Sequence, residues 1–338
     1  MRGIKNKSMI VIEFVFSHEQ ICVGRTMNTL ETEARSPLSK AAPKKVRDLS
    51  KAFILEQLER YYGARPPEGA VENDYVLYEC AETGLQFSWP QRPGNSIFYA
   101  WLAGFDSYYP GVRWEYGMVD QLLNDNPNPR ILDVGCGKGD FLRNLGNVSS
   151  DNKAGLDLNA PAIEACRRAG LRTFCGTIET AMSGGFLKPR EFSHVTSFHC
   201  LEHVVDPVGF MRSLLAATAP GGSVFVSTPY SPMSFESHWF DIMNHPPHHL
   251  GRWNLKAYRR LAEILGAKMT YFTPSSAAFQ RALNLFRLVR YGPNRPIGKA
   301  RLAKDLIVHC REFVTYCREQ CRRSPIAADV ILVQFIVP

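Results

Sequence analysis

The sequence predicts an α/β protein built on an open, mostly parallel sheet with helices on both faces. A smaller α+β cap precedes it, and a basic helical insertion comes before the last strand. Three observations carry this prediction. Short apolar runs alternate with helical patterns from residue 130 to residue 272, as in a sheet covered on both sides. The first of those runs ends in a glycine-rich turn that opens a helix. A carboxylate, Asp157, closes the next run, 18 residues beyond the last glycine of that turn.

Composition sets the outer bounds. The chain has 338 residues, 45% of them hydrophobic and 21% charged, which excludes a mainly disordered chain or a disulfide-stapled miniprotein. Its longest apolar runs, such as residues 330–337, fall far short of the roughly 20 residues that cross a bilayer. No membrane span is expected. Nine cysteines without a Cys-x-x-Cys pair suit a reducing compartment. Residues 1–16 have a leader-like start, but Glu13 interrupts it and no small-residue cleavage site follows, so a cytoplasmic protein is expected. Met27 is an alternative initiator, which N-terminal sequencing of the native protein would check. Net charge is +8, yet residues 251–338 hold 16 basic against 5 acidic residues. That third suits an anionic partner; its dispersed arginines suit a solvated helical surface equally well.

In chain order, residues 1–48 show no sustained period and read as a loose tail. Residues 49–120 form the cap or lid segment. Within it, 49–62 has the spacing of a short amphipathic helix, and 75–80 alternates like a strand whose hairpin partner, 85–89, follows across Thr83-Gly84. Residues 121–338 form the core. Strands are predicted at 130–134, 154–158, 173–175, 194–198 and 223–227, with helices at 160–169 and 208–217 among them. A helix at 261–267 leads into a strand at 268–272. After an insertion spanning about 274–326, the final strand lies at 329–337.

The turn reads Asp133-Val-Gly135-Cys136-Gly137-Lys-Gly139-Asp140. Glycines there permit a tight bend and close approach of a ligand to backbone N–H groups. The spacing is neither the dinucleotide Gly-x-Gly-x-x-Gly nor a phosphate loop. A carboxylate at Asp157 can accept hydrogen bonds from both hydroxyls of a ribose, so strand, loop, helix, strand and acid together make a nucleoside site.

At these residues the chain resembles the class I S-adenosylmethionine-dependent methyltransferases, of the small-molecule type 11 and type 23 kind. Asp133 to Gly139 looks like their first motif and Gly155-Leu-Asp157 like their second. Phe198-His-Cys-Leu-Glu-His-Val-Val-Asp-Pro207 and Ala219-Pro-Gly-Gly222 resemble later landmarks. The resemblance implies a Rossmann-like, doubly wound, seven-stranded sheet with its last strand antiparallel, and S-adenosyl-L-methionine as cofactor. It implies that Asp133, Gly135, Cys136, Gly137 and Gly139 hold the methionine end of the cofactor and that Asp157 grips the ribose. Gly176, Thr177 and Ile178 would flank adenine, and Leu158 and His199 would also contact the cofactor.

Methyl transfer is an in-line displacement, in which the protein aligns an acceptor and excludes water. A base helps when the acceptor is a hydroxyl. His199, His203, Tyr230, His248 and His249 are the candidates for that role, with helix capping and packing as the plain alternative for His199 and His203 and a pocket wall for Tyr230. Residues 238–253 hold four histidines in twelve residues, but Pro246-Pro247 imposes an extended loop and the spacing fits no zinc signature, so no metal is expected. The run from Pro246 to Trp253 looks like an acceptor lid of polysaccharide and secondary-metabolite methyltransferases. Tyr78 to Leu85 resembles one zinc knuckle of related proteins, but Thr83 replaces the second cysteine. The aromatics Phe98, Tyr99, Trp101, Tyr108, Tyr109, Trp114 and Tyr116 suit either a lid or a hydrophobic seam. The expected activity is methyl transfer to a small hydroxylated acceptor, a sugar or metabolite, with oxygen favoured. The alternatives are an RNA- or ribosome-directed methyltransferase and a non-catalytic cofactor-binding subunit. Nucleic acid is disfavoured because the Asn/Asp-Pro-Pro-Tyr/Phe signature of base-modifying relatives is missing after the fourth strand.

Overall fold

Ser50 and Gly63 bracket the first helix. The Ser50 hydroxyl accepts from the Phe53 N–H, a cap worth about 1 kcal/mol, and Gly63 ends the helix in the left-handed region. The computed structural model describes residues 34–337 apart from 106, 107, 109, 110, 112, 124, 125, 275, 294 and 323–327. The leader reading, Met27 and Tyr109 lie outside the described residues.

The cap is an antiparallel sheet. Strand β1 (Lys44–Leu49) pairs with β2 (Tyr75–Glu79), which pairs with β3 (Gln86–Trp89). Helix α1 (Lys51–Tyr62) buries Ile54 and Leu58 against Leu49, Tyr75 and Leu77, and against Phe98 and Leu102 of α2 (Ser96–Ala103). The β2–β3 hairpin falls where the alternation puts it, with Gly84 at φ 66° in the turn and the Cys80 N–H donating to the Leu85 carbonyl at 2.8 Å. One expectation is corrected here. The segment read as a loose tail contains β1, and Leu38 within it is buried in the main core. With five of its six residues exposed, β1 has little hydrophobic pattern to reveal it.

The core starts with α3 (Trp114–Leu123) and then alternates: β4 (Ile131–Val134), α4 (Asp140–Asn144), β5 (Lys153–Asp157), α5 (Ala160–Arg168), β6 (Arg172–Cys175), α6 (Ile178–Ser183), β7 (Phe192–Phe198), α7 (Pro207–Ala217) and β8 (Thr218–Pro229). After β8 come a short strand β9 (Gly251–Arg252), α8 (Leu255–Leu265) and β10 (Lys268–Phe272). The insertion follows as α9 (Ala278–Tyr291), α10 (Lys299–Val308) and α11 (Cys310–Arg322), and β11 (Val330–Ile336) ends the fold. The seven-stranded sheet has the order β10-β11-β8-β7-β4-β5-β6. Only β11 runs against the rest, inserted between β8 and β10 and antiparallel to both. All four residues of β4 are buried, as both-face coverage requires.

Strand β9 leaves the core and joins the cap, pairing with β3 as the fourth strand of that sheet. The segment before it is thereby held from both sides. The Ser88 N–H of the cap donates to the Leu250 carbonyl at 2.9 Å, and the Leu250 N–H donates to the Glu202 carbonyl of the core at 2.8 Å. The insertion has its own small core of Ala282, Leu285, Phe286 and Tyr316. It docks on the segment after β8, where the Gln320 amide donates to the Ser234 carbonyl at 3.1 Å and His238 Nε2 meets Glu319 at 2.7 Å. The C-terminal ends of β4, β7, β8 and β10, and the start of β11, therefore share one edge of the sheet. Open α/β sheets bind ligands along that edge.

Candidate active site

Three backbone bonds shape the glycine turn: Gly135 and Cys136 N–H groups both donate to the Leu156 carbonyl, and Gly139 N–H donates to Cys136. Gly135, Gly137 and Gly139 all sit in the left-handed region, at φ 81°, 53° and 75°. Their surroundings differ. A Cβ at Gly135 would collide with Cys200 Sγ, and one at Gly139 would press on Leu171 and Cys166, whereas one at Gly137 would enter open space. Gly137 thus borders open space, which gives a ligand access to the backbone there. Across from it, Asp157 Oδ2 accepts from the Gly137 N–H at 2.7 Å and Oδ1 from the Asn159 N–H at 2.8 Å. Burial raises the Asp157 pKa above its usual value, against the opposing pull of these N–H groups. Each oxygen keeps a lone pair for a further donor such as a ribose hydroxyl. Leu158 beside it is 57% exposed, an apolar surface placed for a flat, apolar ring. Glycine cradle, half-buried carboxylate and exposed leucine fit an adenosine with a charged tail.

Several predicted contacts take other roles. Ile178 is 1% exposed and packed in the main core, so it does not present a face to adenine. Thr177 caps α6, its hydroxyl accepting from the Thr180 N–H. Asp133 is buried inside the sheet, where Thr196 donates to it at 2.8 Å and burial pushes its pKa up to about 7; it supports the turn from below. Cys136 is a buried filler beneath Gly155, and Cys166 together with burial pushes its thiol pKa up, which suits packing and not attack.

His199 stands at φ 53°, directly after β7. Its Nε2 lies 2.8 Å from Glu115 Oε1 of α3, and its Nδ1 lies 3.4 Å from Glu202 Oε1. Burial alone would lower its pKa, but the two carboxylates outweigh burial and hold it above the ordinary value. Glu115 shows the converse: burial would raise its pKa, and His199 holds it below. His199 is therefore braced between two carboxylates that hold its pKa above 6.5, and it ties α3 to the sheet edge. Sequence reasoning missed Glu115, although a lone acid on an otherwise apolar helix face was a signal that a partner waits there. Tyr230 has a partner on the neighbouring helix. Its phenol meets the backbone of Leu255 at the start of α8, where burial raises its pKa.

Glu202 and His203 stand ahead of α7, not within it. They lie in a 3₁₀ turn, Leu201–His203, and α7 begins at Pro207 under an Asp206 cap. That turn faces the loop before β9, which brings His203, His248 and His249 together with ring centroids 4.4 to 4.8 Å apart. The cap closes over them: Phe98, Tyr99 and Tyr108 pack on His248. The aromatic set divides, since Trp114 and Tyr116 pack with the core instead. Burial drives the pKa of His248 down to about 3 and that of His249 well below its usual value. Linear spacing hid this cluster because its third member comes from another segment.

A cavity of about 550 Å³ opens on the same sheet edge. Trp114 of α3, Phe235 after β8 and Asp329 before β11 line it, as do Arg281, Arg287 and Arg295 of the insertion. None of the five predicted bases lines it.

Comparison with known proteins follows this geometry. Residues 115–271, just under half of the chain, match the Methyltransf_23 family, described as a methyltransferase domain. The ubiquinone biosynthesis O-methyltransferase of Bordetella bronchiseptica is 32% identical over 115 residues, 33% of this chain and 47% of that protein. Cycloartenol-C-24-methyltransferase 1 of Oryza sativa subsp. japonica is 25% identical over 175 residues, 49% of each. The chain spans about half the length of the curated relatives it matches. Among solved structures, phosphoethanolamine N-methyltransferase 2 of Haemonchus contortus, in complex with S-adenosyl-L-methionine, is similar at 19% identity, with a TM-score of 0.42 over 71% of this chain and 56% of that one. The glycine turn and its partner carboxylate both lie within residues 115–271, the stretch that matches the methyltransferase-domain model.

Proposed function

We propose that the protein methylates a small, negatively charged acceptor at an acidic hydroxyl, bound in the cavity beside the insertion. The observation that carries this reading is the cavity, about 550 Å³, with Trp114 and Phe235 in its walls beside three arginines; the glycine turn and Asp157 are not among its walls. Its volume lies within the range of pockets that enclose small ligands. S-adenosylmethionine, when bound, supplies an electrophilic methyl group on a sulfonium.

The chain's own residues do the rest. The Gly137 cradle and Asp157 orient the nucleoside end, and Leu158 offers it an apolar face. The His199–Glu115 pair holds α3, and with it Trp114, against the edge that water would otherwise enter. Arg281 is braced by Gln320 at 3.2 and 2.9 Å, which fixes one wall. Arg287 and Arg295 are exposed at the rim, where they favour the ionised form of a phenol-like or carboxylic oxygen. An acceptor acidic enough to have released its proton to solvent attacks as the anion, so the cavity needs no imidazole. The O-methyltransferase among the relatives supports oxygen as the acceptor atom.

The test is methyl transfer from tritiated cofactor into a panel of phenols, hydroxylated acids, neutral sugars and RNA. Labelling of the acidic hydroxyl compounds is expected. Labelling confined to RNA or neutral sugars, or none despite cofactor binding, would overturn the proposal.

A further inference from the structure

We propose that His203, His248 and His249, backed by Glu202, bind a divalent ion of the zinc type that pins the loop before β9 to the turn after β7. One candidate ligand atom from each of the three histidines lies within 4.8 Å of the others, although their segments are 45 residues apart in sequence.

The second argument is the orientation of the rings. His203 Nδ1 lies 2.6 Å from the His248 carbonyl, and His248 Nδ1 lies 2.8 Å from the Met243 carbonyl. His249 Nδ1 lies 3.1 Å from Asn244 Oδ1. The Asn244 amide nitrogen points instead at Ser231 and Glu236, which fixes which end of that amide faces His249. A carbonyl oxygen can only accept, so every Nδ1 carries hydrogen and every neutral ring presents its Nε2 lone pair. Metal-binding histidines are oriented by this same kind of outer hydrogen bond.

Glu202 gives the third, independent argument. It is 1% exposed, and neither carboxylate oxygen receives a hydrogen bond among the described residues. Its nearest imidazole nitrogens are His199 Nδ1 at 3.4 Å and His249 Nε2 at 3.9 Å. His199 faces only Oε1 of this buried carboxylate, and a cation held by the three histidines would complete its charge balance. Imidazole nitrogens with one carboxylate suit zinc and its neighbours better than magnesium or calcium, which prefer oxygen sets. Tetrahedral ligands at about 2.0–2.1 Å from zinc stand roughly 3.3 Å apart, so the rings close by about 1.5 Å on binding. Tyr108, 3.4 Å from His248 Nε2, must give way as they do.

The experiment uses the full chain, stripped with a chelator and titrated with Co²⁺ alone while visible absorption is followed. About one equivalent is expected, with the intense absorption of a four-coordinate site. His203→Ala and His249→Ala should abolish it, and Glu202→Gln should weaken affinity about tenfold or more. Zn²⁺ should compete and raise the melting temperature, and Mg²⁺ should do neither. The wild-type titration decides even where a variant fails to fold. Folded wild-type chain without the cobalt signal would overturn the proposal. An undiminished signal in His203→Ala would do the same by placing the metal elsewhere. Neither cofactor nor acceptor is present, so the outcome is separable from the methyl-transfer reading.

Discussion

At residue scale, one hydrogen bond joins the glycine turn to the end of the next strand: the Gly137 N–H donates to Asp157. Replacing Gly137 by Ala puts a methyl group into the open space that the ligand needs, at a φ that costs an L-residue about 1–2 kcal/mol. The expected outcome is a folded protein, slightly lower in melting temperature, whose affinity for S-adenosylmethionine in calorimetry falls at least about tenfold. Gly135→Ala should damage the fold more, because its Cβ collides with Cys200. These positions were legible in the sequence because a glycine turn and an acid one strand later are local patterns. Ile178 lies in the core instead of facing a ligand, a difference that sequence alone does not reveal.

At element scale, α3 depends on one buried ion pair and the cavity depends on the insertion. Glu115→Leu leaves His199 without its main partner and should cost about 3–5 kcal/mol. The pair's contribution has a pH window. His199 is raised above 6.5, so its share is complete below that value and is lost as pH rises through the folded pKa. Glu115 is lowered below 4.5, so its share is complete above that value and is lost as pH falls through the folded pKa. Thermal melts of wild type and Glu115→Leu should therefore differ most between about pH 4.5 and 6.5, and should converge on either side. On the insertion, Arg287→Ala with Arg295→Ala should raise KM for an anionic acceptor about tenfold or more, leaving cofactor affinity unchanged. Helices and strands with strong periodicity were readable in advance. The histidine cluster, β1 and the two-residue β9 were not, since each is defined by a partner distant in sequence and carries little pattern of its own.

At the scale of the whole molecule, two sheets are sewn together by chain segments that leave and return. Strand β9 departs from the core to complete the cap, and β11 returns after the insertion to lie between β8 and β10. Val333 in β11 is fully buried, and Val333→Asp should cost more than about 4 kcal/mol and abolish cooperative unfolding near room temperature. The doubly wound order and its antiparallel last strand were expected from the resemblance. How the cap and insertion wall the active edge required the tertiary structure.

The central claim is that this edge holds a methyl-donating nucleoside through Asp157. Calorimetric titration of S-adenosylmethionine into the wild type and into Asp157→Ala, side by side, tests it most directly. The expected result is one site per chain in the wild type, weakened about 10- to 100-fold in the variant at nearly unchanged melting temperature. A wild type that binds no S-adenosylmethionine, or a variant that binds it equally well, would contradict the account.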